Sequence, residues 1–441
     1  MSTVRSLISC AALAALLCGA DPAAAGKCDT DAVPAATLLF PYFEVDLDDP
    51  FTGRTTLIAI TNQDEAPVLA KAVLWTEWAI PTLDFEIYLA GYDVQTLNLR
   101  DIFVSGRLPR TGSGVSPHGN LSGPPVAFPG CNGGTTPGAA PVYADPAIAG
   151  AALAELRDFH TGRCTSGGMR AAPPSEFHEF DGQNVARGYV TVDVVKRCSG
   201  LSPADGGYFA ADATGVAGDR NVLTGDFFLV DVGQNFAQGE LAVHVEAFPG
   251  GFSPGDYTFY KRYVAGSGID GREPLGTQYE IRHLLGGAFD GGTKAIIWRD
   301  TGSPAAVPVA CDDSPPWFGE CGLKSYRVLF NEDGEATHRS DACLSDVLPT
   351  GGEIMPAPNA SQLATYGNVG FYYTIPTPFP FGHTRLVLRD TGGGDPNLAL
   401  ILQSWVSVIN SAENRYSVGQ RAIRLDSACA PAPVKPAPFP P

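Results

Sequence analysis

Four acidic side chains crowd into six residues at Glu44, Asp46, Asp48 and Asp49, directly ahead of Pro50. Carboxylates this close repel one another unless a cation or solvent screens them. Calcium takes roughly six to eight oxygens from turns of this kind, which makes these four the candidate metal ligands, with calcium the one cofactor the pattern would suit. The central glycine and terminal glutamate of an EF-hand loop are missing, and the plainer reading is a solvated acidic turn. Asn331-Glu332-Asp333-Gly334-Glu335 is a weaker version of the same pattern, explained as a hairpin turn.

Hydrolytic motifs fare worse. Gly251-Phe252-Ser253-Pro254-Gly255 has the letters of a serine-hydrolase elbow. The elbow needs the residue after serine to donate its backbone N–H, and Pro254 has none. Gly266-Ser267-Gly268-Ile269-Asp270-Gly271 fits a dinucleotide fingerprint, but no helix follows and Pro274 interrupts, so it reads as a turn. Leu108-Pro109-Arg110-Thr111-Gly112 matches a wall-sorting signal far from the C-terminus and without its apolar segment, and reads as loop. The histidines at 118, 160, 178, 244, 283, 338 and 383 form no helix-spaced ligand pair. A glycosidase needs two carboxylates across a cleft, and no spacing among the 47 acids selects a pair, so no catalytic residue is assigned. Trp317 is the candidate ligand-binding aromatic, beside Pro315-Pro316 and Phe318; packing on those prolines is the competing reading. Trp75 and Trp78 stand three apart, so along one strand they face opposite sides and only one belongs in a core.

The elements that carry these groups read as strands. Thr55–Asn62, Val68–Trp78, Leu83–Leu89 and Val94–Leu99 are short runs with turns at Asn62-Gln63-Asp64-Glu65 and Ala90-Gly91-Tyr92-Asp93. Further strands are expected at Tyr189–Lys196, Asp226–Val232, Glu240–Glu246, Tyr257–Tyr263, Thr293–Asp300, Ser325–Asn331, Gly370–Thr374, Thr384–Asp390, Leu398–Ile409 and Arg421–Leu425. Gly106–Pro141 reads as a long loop. Helices are expected at Ala147–His160, stopped by Gly162, and within Gln278–Leu285. Thr55–Asn62, Thr293–Gly302 and Thr384–Gly392 are built alike, and Leu108–Gly112 pairs with Leu348–Gly351, which suggests two diverged halves.

Arg5, the apolar run Leu7–Leu17 and Ala23-Ala24-Ala25 before Gly26 have the form of a secretory signal peptide. The run is about half of what a bilayer span requires, and no later segment is long enough to make one. For lipid modification Cys18 lacks the small residue needed just before it, and Cys10 has the local pattern but too short an apolar stretch ahead of it, so a soluble exported chain is the expected form. Of ten cysteines, removing those two leaves eight: Cys28, Cys131, Cys164, Cys198, Cys311, Cys321, Cys343 and Cys429. An even set in an exported chain reads as disulfides, with Cys311–Cys321 the best local pair, Cys131–Cys164 next and Cys28–Cys429 tying the ends together. A net charge of −18 makes nucleic acid a poor partner.

Ala36–Asp46, Val73–Trp78, Gly91–Gln95, Gly188–Asp193 and Gly286–Gly291 together resemble a family of uncharacterised exported bacterial proteins. That resemblance implies export and a bacterial origin; it carries no activity or catalytic residue.

The sequence therefore predicts an all-β protein of tandem immunoglobulin-like antiparallel β-sandwiches with a few short helices. A leader (1–25) precedes a first sandwich with a long loop and helical insertion (26–265), a second sandwich (266–429) and a Pro-rich tail (430–441). The expected role is an exported, non-enzymatic binding or structural module, secreted, periplasmic or at the cell surface, whose partner is a surface glycan or a protein. The alternative is a secreted glycan-active hydrolase.

Overall fold

The computed structural model describes residues 33–109, 148, 150–172, 184–210, 215–233, 235–264, 268–284, 292–300, 307–311, 324–330, 336–343, 362–366, 381–387, 403–412 and 416–425. The expected leader, most of the expected 106–141 loop, Trp317, the expected turn at 331–335, the expected strand at 370–374 and the Pro-rich stretch 430–441 lie outside them.

The protein is built of antiparallel β-sheets with two short α-helices among the described residues. Up to residue 245 the strands are β1 (Thr37–Asp46), β2 (Thr55–Asn62), β3 (Val68–Trp75), β4 (Pro81–Leu89), β5 (Val94–Asn98), β6 (Met169–Arg170), β7 (Val185–Val195), β8 (Leu223–Asp231), β9 (Phe236–Leu241) and β10 (Val243–Val245). Then follow β11 (Gln278–Leu284), β12 (Gly292–Asp300), β13 (Val309–Ala310), β14 (Lys324–Phe330), β15 (Ala336–Cys343), β16 (Gln362–Tyr366), β17 (Phe381–Val387), β18 (Gln403–Ala412), β19 (Tyr416–Arg421) and β20 (Ile423–Arg424).

The same strand order occurs twice. One five-stranded sheet runs β10-β1-β7-β3-β4 and another β20-β11-β17-β14-β15; one four-stranded sheet runs β5-β2-β8-β9 and another β16-β12-β18-β19. Reading β11 for β1, β12 for β2, β14 for β3, β15 for β4 and β16–β20 for β5 and β7–β10 converts the first pair of orders into the second. Thr55–Asn62 and Thr293–Asp300, alike in sequence, occupy equivalent strands, β2 and β12. The Thr384 segment falls in β17, the counterpart of β7, so its likeness to them is one of strand composition. The order is not the immunoglobulin one. In that fold the first two strands share a sheet and so do the last two; here β1 and β2 part to different sheets, as do β9 and β10.

Alternation packs the first two sheets together. Leu38 and Phe40 of β1, Ala72 and Leu74 of β3, and Val190 and Val192 of β7 meet Ile58 and Ile60 of β2 and Phe227 of β8 in one apolar core. The other face of the five-stranded sheet is covered too: Leu39, Val73, Trp75 and Tyr189 pack with Phe259, Tyr260, Leu275, Trp298 of β12 and Trp405 of β18. A central sheet buried on both sides is why β1, β3 and β7 show almost no exposed position.

Asn98 caps α1 (Leu99–Ser105), taking the Arg100 N–H on its side chain at 3.1 Å, and the helix ends at Gly106 with φ of 64°. The strand expected over Val94–Leu99 overlaps this helix at Leu99 alone, and the sequence pattern assigns no element to the rest of it. The expected Ala-rich helix forms as α2 (Gly150–Thr161) and stops at Gly162, φ 70°. The segment read as a second helix is instead strand β11, paired with β17 from Gln278↔Val387 to Leu284↔Phe381. Its buried Tyr279 and Ile281 are two apart, which is a strand's period. The strand expected over Tyr257–Tyr263 is irregular and ends in a 3-10 turn, Lys261–Tyr263. There the Asp270 carboxylate, not a neighbouring strand, takes the Tyr260 N–H.

Candidate functional site

The acidic turn does not gather its carboxylates. Glu44 points inward and accepts from the Tyr42 hydroxyl and Arg54, whose Nε also lies 3.4 Å from Asp231. Asp46 accepts from the backbone N–H groups of Asp48 and Asp49 at 2.8 and 3.2 Å. Asp48 accepts from Asn184. Asp49 takes the Thr52 hydroxyl and the N–H groups of Thr52 and Phe51, and those bonds, the hydroxyl first, hold its carboxyl well below the usual range. Each carboxylate has its own donors, and among the described residues no group of three His, Cys, Asp or Glu is arranged to hold a metal ion.

The densest polar cluster sits on the second face of the central sheet. Register places Thr37, Asp193, Lys71 and Glu86 side by side across β1, β7, β3 and β4. Asp193 accepts from Thr37 at 2.5 Å, Tyr208 at 2.9 Å and Tyr260 at 3.1 Å. Arg272 donates to Thr37 Oγ1 and to the carbonyls of Asp270 and Gly218, each at 2.8 Å. Lys71, fully buried, donates to Asp84, to Glu86 at 3.0 Å and to the Ser199 carbonyl at 2.8 Å. Burial pushes the Asp193 carboxyl above its ordinary range, opposed by Arg272 and the hydroxyl donors. Burial, then Asp193 itself, lifts Tyr208 and Tyr260 well above theirs, so both stay protonated and donate. Apart from the partly exposed Asp84, this cluster is closed to solvent, and its chemistry is mutual neutralisation between strands.

An open groove of about 580 Å³ lies where β5 meets α1, lined by Thr96, Asn98, Asp101, Ile102, Arg107 and Leu108 among others. Asn98 also accepts from Thr55 at 3.1 Å, which ties the groove wall to β2. Arg107 and Asp101 pair at 3.0 Å on its exposed rim. The sequence reading missed the groove, although the adjacent Phe227-Phe228 pair signals its flank: neighbours on a strand point to opposite faces, so one ring must face outward.

Other predicted residues land as follows. Trp75 and Trp78 are both buried, because β3 ends at Trp75 and a turn with Ala79 at φ 59° redirects Trp78 onto Ile80 and Ala171. Cys164 bonds to Cys311, with Cα atoms 6.0 Å apart. Neither Cys311–Cys321 nor Cys131–Cys164 therefore forms, since each would need a sulfur already spent. The bond sits beside the short β6–β13 ladder, which brings residues distant in sequence to one edge. Cys198 is disulfide-bonded as well. Cys28, Cys131, Cys321 and Cys429 lie outside the described residues, and Cys343 closes β15. Ser253 sits in an exposed turn in which its own N–H bonds Asp256 at 2.7 Å, not on a strand-to-helix elbow. His160 is a core residue bonded to Thr82 and to the Arg187 carbonyl, each at 2.7 Å.

Fold and site together define an all-β antiparallel protein with an internally neutralised central sheet and an open groove at one edge. No helix among the described residues is long and apolar enough to cross a membrane. No protein-family model matches the chain, and no curated protein or solved structure is significantly similar to it.

Proposed function

We propose that this protein is exported and acts outside the cytoplasm as a non-enzymatic binding or structural module. The observation that carries the reading is where charge goes. Lys71, Asp193 and Arg272 are spent inside, holding strands together, while the groove and the sheet beside it stay open. A contact surface suits that division; a hydrolase needs charged groups converging on a substrate at the opening, and there Asp101 and Arg107 are engaged with each other. The Cys164–Cys311 bond supports an oxidising compartment.

The test is to incubate the purified mature protein with cell-envelope fractions and insoluble polysaccharides, measuring protein sedimented and sugar or peptide released. Sedimentation without release is expected. Release of soluble product would make the protein a hydrolase, and failure to sediment with every fraction would end the binding reading.

A further inference from the structure

We propose that the outward face of the β5-β2-β8-β9 sheet docks a neutral polysaccharide chain, with Phe228 as its stacking platform; this rests on the binding reading above.

Strand register lines up Asn98, Leu57, Phe228 and Gly239 in one row across the four strands. Phe227, next in sequence, is buried at 3% exposure, whereas Phe228 is 45% exposed. Its ring does not stand off the sheet. A Cβ on Gly239 would lie 2.5 Å from Phe228 Cε1 and 3.1 Å from Cζ, so the ring rests across the glycine with its other face to solvent. The glycine permits the flat pose, and the pose makes a platform. Leu57, 38% exposed, extends it on one side. Three strand spacings give the row a length of about 14 Å, enough for a short run of sugar rings laid across the strands. At its β5 end, Asn98 leads into the 580 Å³ groove, where Thr96, Asp101 and Arg107 supply hydrogen-bonding groups.

Charge selects the partner class. Among the outward positions of these four strands Asp226 is the one charged side chain, although the protein carries 47 acids and 29 bases. A basic partner would find little to pair with, and an anionic polymer would meet the field of a −18 chain. A neutral polymer forfeits no charge solvation here. Its C–H faces match Phe228 and Leu57, and its hydroxyls match the flanking Thr61, Thr96, Asn98 and Thr224.

The experiment measures depletion of the full mature chain on cellulose, chitin and starch granules, with polygalacturonate as the anionic control and the envelope fraction alongside. Wild type is expected to bind at least one neutral polymer. Phe228→Ala should weaken that binding roughly tenfold, about 1.4 kcal/mol. Phe228→Tyr should retain it, and Val232→Ala, exposed but off the row, should change nothing. Circular dichroism checks that each variant is folded. Wild-type binding by Phe228→Ala overturns the proposal. So does binding of the envelope alone, or its loss after protease treatment of the envelope, which would identify a protein partner; in both cases the binding reading itself survives. Release of product from any substrate defeats both.

Discussion

The two faces of the β10-β1-β7-β3-β4 sheet are equally buried and held by opposite physics. One face, with Phe40, Leu74, Val190 and Val192, is apolar and gains from removing area from water. The other interleaves Leu39 and Val73 with Thr37, Asp193, Thr191 and Lys71, and is stable only because each polar group meets a partner. Burial alone thus says little about tolerance. An apolar face responds to lost volume, whereas a polar one responds to a lost partner.

Substitutions can break that contrast. Asp193→Ala should cost the most, about 3–5 kcal/mol by chemical denaturation, because Tyr208 and Tyr260 lose their shared acceptor and buried Arg272 loses the carboxylate that offsets its charge. Replacing both charges, Asp193→Leu with Arg272→Met, should recover much of the loss. On the apolar face Leu74→Ala should cost about 2–5 kcal/mol. Adding Val190→Ala, its cross-strand neighbour, should deepen that loss rather than relieve it. If the double variant is no better than the single on the polar face, the contrast fails.

His160 is the titratable intruder on the apolar side, packed against Phe43 and Phe103. Burial lowers its pKa from 6.5 to about 4, against the raising pull of the Arg187 carbonyl and Glu77. The unfolded chain therefore binds this proton first as pH falls. Stability is full above 6.5 and declines toward pH 4, by about 3 kcal/mol. His160→Gln should flatten that part of the stability–pH curve; an unchanged slope would place the proton elsewhere. The smallest effect is expected at Thr191, which takes the Trp75 indole N–H at 2.8 Å. Thr191→Val keeps the shape and removes the acceptor, for about 1 kcal/mol in the same denaturation assay.

Much of the fold was legible because strands announce themselves locally. Thr55–Asn62 alternates, and Asn62 and Asp64 turn the chain through bonds from their neighbours' N–H groups at 3.0 and 2.9 Å. The α2 segment, ended by Gly162, was equally local. Tyr279 and Ile281 were misread because seven residues hold too few periods to separate strand from helix. The groove was not legible, since it exists only where β5, α1 and the chain after it meet.

Within a single strand the sequence determined which residues share a side, since side chains alternate whatever the surroundings. The run Val190-Thr191-Val192-Asp193 assigns its valines to one face and its polar residues to the other with no further information. What it cannot state is what covers the second face. That was decided by Tyr208, Tyr260 and Arg272, delivered by chain segments up to 79 residues away from Asp193, and by Trp298 and Trp405 beyond them. Disulfide choice has the same origin: Cys164 and Cys311 are 147 residues apart and lie together in the folded chain beside the β6–β13 ladder. Alternation is a property of the backbone, whereas pairing is a property of distances that only the folded chain sets.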